Sequence, residues 1–218
     1  MGKTAMTRPM EYAYQFIKDK ILDGTYRPSQ KLNESDLSSL IGVSRNTVKK
    51  ALLKLERENL VEIEENKGAT VKSHTLDEIL NYLEIREVLE GLLARRAAAS
   101  ITDGKLRELE EVYLQMEDHL KNNRLDEYSN LNRKFHQIIY DASENRQAVE
   151  LVNVIKTQLL RYHLRTVLVP GRNRDSLEEH RQILEALKAR DPALAEERIR
   201  RHVGNIRKTI HEHHSLLV

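Results

Sequence analysis

The 218-residue chain is predicted to be mainly α, in two parts: three short helices closed by a β-hairpin, then an antiparallel bundle of six helices. Three observations predict it. Apolar residues recur at helical spacing through most of the chain. One alternating run, Val61-Glu62-Ile63-Glu64, leads through Glu65-Asn66-Lys67-Gly68 into Ala69-Thr70-Val71-Lys72, the mark of a hairpin. The polar link Ser73-His74-Thr75 then separates a first domain, 1–75, from a second, 76–218.

In the first domain an amphipathic helix from Pro9 to about Asp23 supplies Tyr12, Phe16, Ile17 and Ile21 to a core and stops at Gly24. Asn33 caps a second helix, Glu34 to Ile41, with Leu37, Leu40 and Ile41 turned inward and Gly42-Val43 making the turn. Ser44 caps a third helix that buries Val48, Ala51, Leu52 and Leu55. Its other faces carry Arg45, Asn46, Thr47, Lys49, Lys50 and Lys54, a positive surface rich in donors. Helix, glycine turn, helix is the helix-turn-helix pattern, and the hairpin beside it is a wing. Lys67 at the wing tip is placed to reach a phosphate or the minor groove.

Composition narrows the function classes. The chain is 32% charged and 39% hydrophobic, with no long apolar run and no export signal at its start, so a soluble protein is expected. No cysteine is present, which excludes disulfides and thiolate ligands and is compatible with the cytoplasm. The net charge is only +2, unevenly placed: residues 1–75 hold 13 Lys and Arg against 10 Asp and Glu, the remainder 23 against 24. With few phosphate contacts per subunit, one winged domain alone is expected to bind double-stranded DNA poorly at physiological salt. A homodimer on a near-palindromic operator would supply the missing contacts.

In the second domain helices are expected at about 76–100, 103–122, 124–142, 145–166, 175–190 and 192–214, the last opened by Asp191 as cap and Pro192. Antiparallel packing follows from the short links. Three histidines sit inside apolar stripes on different helices: His136 with Phe135 and Ile139, His180 with Ile183 and Leu187, His202 with Ile199 and Val203. Converging imidazoles without partners are costly, and one divalent cation would satisfy all three. Asn132, one turn before His136, shares its face and offers a fourth donor. His211, His213 and His214 read as a solvated tail, and Glu179 is expected to point away from the interior. Arg86 lies on the inward stripe 79, 83, 86, 90, 93; it either receives the carboxylate of an organic acid, with Arg161 or Arg165, or pairs with Glu90.

Residues 9–72 resemble the winged helix of the GntR family of bacterial transcription regulators, through Leu37-Ser38-Ser39-Leu40-Ile41-Gly42-Val43-Ser44-Arg45-Asn46-Thr47-Val48-Lys49-Lys50-Ala51-Leu52. The resemblance implies DNA contact by Ser44, Arg45, Asn46, Thr47 and Lys49, with Lys67 or Gly68 nearby. Asn46, Thr47, Lys49 and Lys50 depart from the usual family core, so the operator need not follow the commonest one; Lys offers a point charge where Arg binds guanine bidentately. The second domain resembles the helical ligand-binding domain (FCD) of the FadR-type branch, its VanR-like six-helix subgroup, at Arg86, Glu90, Phe135-His136, Glu179-His180, Asp191 and His202. This implies a metal on His136, His180 and His202, and a small organic acid as effector. Metal-binding members carry Asp where this chain has Asn132. Zn²⁺ is the first expectation, with Ni²⁺ or Mn²⁺ as alternatives. The leading reading is therefore a regulator, a repressor before an activator, of a metabolic operon. A purely metal-responsive regulator and a metal-dependent hydrolase with a DNA-targeting module stand behind it.

Overall fold

The computed structural model describes residues 9–64, 68–166 and 169–217, the side chains of 160–165 and 215–217 excepted. The chain divides into two compact units between Thr75 and Leu76. In the first, α1 (Pro9–Leu22), α2 (Glu34–Ile41) and α3 (Arg45–Arg57) share a core that includes Ile17, Leu37, Val48, Leu52 and Leu55. Both short helices are capped as their sequences require. The Asn33 side chain accepts from Ser35 N and Asp36 N, and Ser44 accepts from Thr47 N. Gly42 takes φ 75°, the left-handed conformation that glycine adopts without strain, and its N–H bonds Ser38 O to close α2.

Two inward assignments are corrected. Tyr12 is exposed, and Tyr14 takes the buried place, its hydroxyl donating to Glu58 Oε1 at 2.5 Å. The tyrosines are two residues apart and so lie on opposite sides of α1; α3 packs on the side of Ala13, Tyr14, Ile17 and Ile21. Leu40 is 65% exposed, because α2 is short and only the Leu37 side meets α3.

A strand that the sequence did not announce, β1 (Lys31–Leu32), joins β2 (Val61–Glu64) and β3 (Gly68–Val71) in a three-stranded antiparallel sheet of order β1-β3-β2. The hairpin register pairs Val61 with Val71 and Glu64 with Gly68. Val61, Ala69 and Val71 face the core. Gly68 has φ +88°, a conformation an L side chain would strain. Lys67 lies outside the described residues.

The second unit is all helix: α4 (Leu76–Ser100), α5 (Asp103–Lys121), α6 (Leu125–Ala142), α7 (Arg146–Thr166), α8 (Arg172–Lys188) and α9 (Pro192–Leu217). Asp191 Oδ1 accepts from Ala193 N and Leu194 N at 3.0 Å, which starts α9 as expected. α8 starts three residues earlier than expected. Gly171 (φ 83°) turns the chain, and its carbonyl accepts from Arg174 N and Asp175 N, drawing Arg172 to Arg174 into the first turn.

α4 packs against α6, α7, α8 and α9, and against α9 most closely. Gly91 permits this approach: a Cβ there would stand 2.8 Å from Arg200 Cγ. The expected inward stripe of Ile79, Leu83, Arg86, Glu90 and Leu93 is wholly buried. His211, His213 and His214 lie on the last turns of α9, His211 exposed and the other two partly so, with a kink at His213, whose Nδ1 bonds Thr209 O at 3.1 Å. Among the described residues no helix is long and apolar enough to cross a membrane.

Candidate functional site

The first unit presents the start of α3. Arg45, Asn46, Lys49 and Lys50 are exposed there while Val48 anchors the helix beneath. Ser44 and Thr47 are tied to each other, their hydroxyl oxygens 2.8 Å apart, which fixes the first turn. Arg45 Nη2 donates to Ser35 Oγ at 2.6 Å, so this guanidinium is held against α2 at the head of that surface. Lys54 does not belong to that surface: it pairs with Glu11 at 2.8 Å and lies 3.6 Å over the Tyr14 ring. What the surface offers is a compact set of donors on a short, capped helix, suited to a groove with a phosphate edge.

The bundle brings together His136 of α6, His180 of α8 and His202 of α9. All three are buried, and one nitrogen of each lies within 4.8 Å of the others. Asn132 of α6 joins them, its Oδ1 3.2 Å from His180 Nε2. The outer nitrogens settle the tautomers of His180 and His202. His180 Nδ1 donates to the backbone oxygen of Ser176 one turn earlier. His202 Nδ1 donates to Glu179 Oε2 at 2.7 Å. His136 Nδ1 faces Glu90 Oε2 at 3.3 Å, off the line of a good hydrogen bond. With protons on the three Nδ1 atoms, every Nε2 turns a lone pair inward. His136 Nε2 and His180 Nε2 then stand 3.2 Å apart with no proton to share, and His202 Nε2 has no hydrogen-bond partner among the described residues.

Electrostatics agree with that geometry. Burial pushes His136 and His202 down to about 4 and His180 down to about 3, so the rings are neutral near pH 7 and their lone pairs free. Burial would raise the Glu179 carboxyl, but the bonds from His202 and Arg172 outweigh it and hold it down to about 2. Arg172 grips Glu179 at both oxygens, at 3.0 and 2.8 Å, and Asn205 Nδ2 adds a bond at 2.7 Å. Glu179 therefore does not point away, as the sequence suggested: α9 packs on that side of α8 and gives the carboxylate three partners. Glu179 also lines a cleft of about 450 Å³ between α8 and α9, whose walls include Arg172, Arg201, Asn205 and Lys208.

Arg86 takes the ion-pair alternative. Its Nε donates to Glu90 Oε1 with both side chains buried, so Arg86 steadies the carboxylate behind His136. Burial works against the charge of Glu90, yet Arg86, then His136, holds that carboxyl well below its ordinary range. Lys156 of α7 lies beside this pair, its Nζ 3.4 Å from the Tyr140 hydroxyl, and burial pushes it down to about 8. Sequence reasoning missed Glu90 and Glu179 as holders of the imidazoles, and missed Arg172 and Lys156 altogether. The side chains of Arg161 and Arg165 lie outside the described residues.

Comparison with known proteins places both units. Residues 9–71 match the bacterial regulatory proteins of the gntR family, and residues 81–205 match the FCD domain. The chain is 27% identical over 209 residues to the "uncharacterized HTH-type transcriptional regulator YdhC" of Bacillus subtilis (strain 168), covering 94% of this chain and 93% of that protein. To the "HTH-type transcriptional repressor RspR" of Escherichia coli (strain K12) it is 25% identical, covering 94% and 91%. The solved structure of E. coli McbR/YncC superimposes with a TM-score of 0.72 at 22% identity, over 97% of this chain and 98% of that one, and shares its fold. These relatives are transcription regulators, not enzymes, and the hydrolase reading falls. With a DNA-binding unit and an FCD domain accounting for nearly its whole length, the chain belongs to the GntR family of bacterial transcription regulators.

Proposed function

We propose that the chain is a homodimeric repressor whose hold on a near-palindromic operator is set by a small organic acid bound beside a divalent metal. The observation that carries the reading is the meeting of three buried imidazoles, from three different helices, with Asn132 Oδ1. Two imidazole nitrogens on one tetrahedral zinc stand ~3.3 Å apart, and those of His136 and His180 are 3.2 Å apart. The residues present therefore fit a cation. His136, His180 and His202 would hold it, Asn132 would be a fourth donor, and neutral nitrogen donors favour zinc, with nickel or manganese as alternatives. When bound, the metal supplies a Lewis-acidic point for a carboxylate. The three imidazoles need no deprotonation at neutral pH.

Two relatives from E. coli, RspR and GlaR, bear the word repressor in their names, which supports the sign chosen. For DNA contact we assign Ser44, Arg45, Asn46, Thr47 and Lys49, with Gly68 and Lys67 of the wing, acting on DNA in the cytoplasm. For the dimer, Ile85, Val88 and Leu92 form an exposed apolar stripe on α4, and Leu151 and Val154 are exposed on the adjoining α7. Exposed apolar residues on two adjoining helices suit a two-fold contact with a second copy. The acid loosens the operator only by binding the DNA-free state more tightly.

The test is selection of operators from random DNA, followed by binding at ~0.15 M salt with zinc, with chelator and with a panel of small carboxylic acids. We expect a two-fold symmetric site preferred over random DNA by about a thousandfold, loosened by an acid only when metal is present. Binding no better than to random DNA would sink the regulator. Loosening by metal alone, with every acid inert, would make the cation itself the effector.

A further inference from the structure

The inward donors of the triad carry no charge: three neutral imidazoles and one amide oxygen. Both neighbouring carboxylates face the outer nitrogens and are already engaged. Glu90 lies between Arg86 and His136 Nδ1, and Glu179 between Arg172 and His202 Nδ1. Lys156 adds a further cation beside Tyr140, whose ring centroid is 6.1 Å from that of His136. Among the described residues, the two carboxylates behind the outer nitrogens thus face three cations, Arg86, Arg172 and Lys156. A divalent cation would enter surroundings that are already positive, and at low dielectric an unmatched charge is held weakly.

We infer that metal and carboxylate are taken up together, each tightening the other, and that Asn132 is the residue that makes the metal depend on the anion. This rests on the triad being the metal centre proposed above. The chain offers the cation geometry without charge; a small carboxylate supplies the charge and an oxygen donor. Reciprocity requires that the anion tighten the metal by the same factor as the metal tightens the anion. An acidic side chain at position 132 would place a fixed negative charge beside His180 Nε2 and remove the need. The regulator then responds to the coincidence of two signals, a cation and an acid.

The experiment measures zinc affinity of the metal-stripped full-length protein by competition with a chromophoric chelator at neutral pH. It is run without carboxylate and with acetate, lactate or succinate, each corrected for its own zinc binding. We expect at least one acid to tighten zinc by about tenfold or more in the wild type. Asn132→Asp, shown folded by circular dichroism, should tighten zinc by a similar factor with no acid present and respond weakly to the acids. Wild-type affinity indifferent to all three acids, or an Asn132→Asp variant no tighter than wild type, would overturn the inference while leaving the metal centre standing. Zinc bound equally well by His136→Ala and His202→Ala would instead remove the metal centre itself.

Discussion

Glu179 ties the start of its own helix to α9, accepting from Arg172 on one side and from His202 and Asn205 on the other. Glu179→Gln keeps the shape but weakens the hold on the His202 tautomer, so zinc affinity should fall about ten- to a hundredfold, read by chelator competition with the helical signal unchanged. In the first unit Lys49 is exposed on the first turns of α3. Lys49→Ala should weaken operator binding about tenfold and lower the slope of log affinity against log salt by about one, measured by fluorescence anisotropy. Residue identities such as the histidines were legible because apolar stripes carry a polar intruder visibly. Glu179 was not, because its neighbour in sequence, His180, occupies the inward stripe and periodicity says nothing of what α9 brings to the next face. The exchange of Tyr12 for Tyr14 has the same origin: two tyrosines flank the apolar stripe, and only the partner helix decides between them.

Elements with chemical end signals were read closely. Asn33, Ser44 and Asp191 cap their helices through side-chain oxygens, and α2, α3 and α9 start where those caps lie. β1 was invisible because two residues, Lys31 and Leu32, have no period; the strand exists only because β3 offers an edge. The start of α8 was misplaced because its cap is a glycine carbonyl and not a side chain. The crossing of α4 and α9 depends on a missing side chain. Gly91→Val would place carbon against Arg200 Cγ and β-branch a helix interior, and should lower stability by about 1–3 kcal/mol in urea unfolding. Exposed Val88 on the same helix gives a contrast: Val88→Glu should leave folding intact and shift sedimentation from dimer to monomer.

For the whole molecule the buried imidazoles set an acid limit. Their pKa values in the folded state lie near 3 to 4, against 6.5 when free, so below 6.5 the unfolded chain binds protons that the folded chain refuses. Above 6.5 both states are neutral and nothing is gained or lost. The metal-free protein should therefore lose stability as pH falls from 6.5 toward 4, by about 1.4 kcal/mol per pH unit for each imidazole, seen as a falling Tm. Below the ordinary carboxylate range Glu179, held to about 2, adds to the loss, because its salt bridge is gone once it is protonated. The division into a reading unit and a helical unit was legible from one polar link and one alternating run, while the charge balance inside the bundle needed three dimensions. Two rings have outer anchors, a backbone oxygen on Nδ1 of His180 and a carboxylate on Nδ1 of His202, while His136 Nδ1 only faces Glu90. A cation captured there would draw the three rings onto one point and tie α6, α8 and α9 together. Loading would then register as a quieting of motion, with amide hydrogen exchange slowed along α6, α8 and α9 while those helices stay where they are.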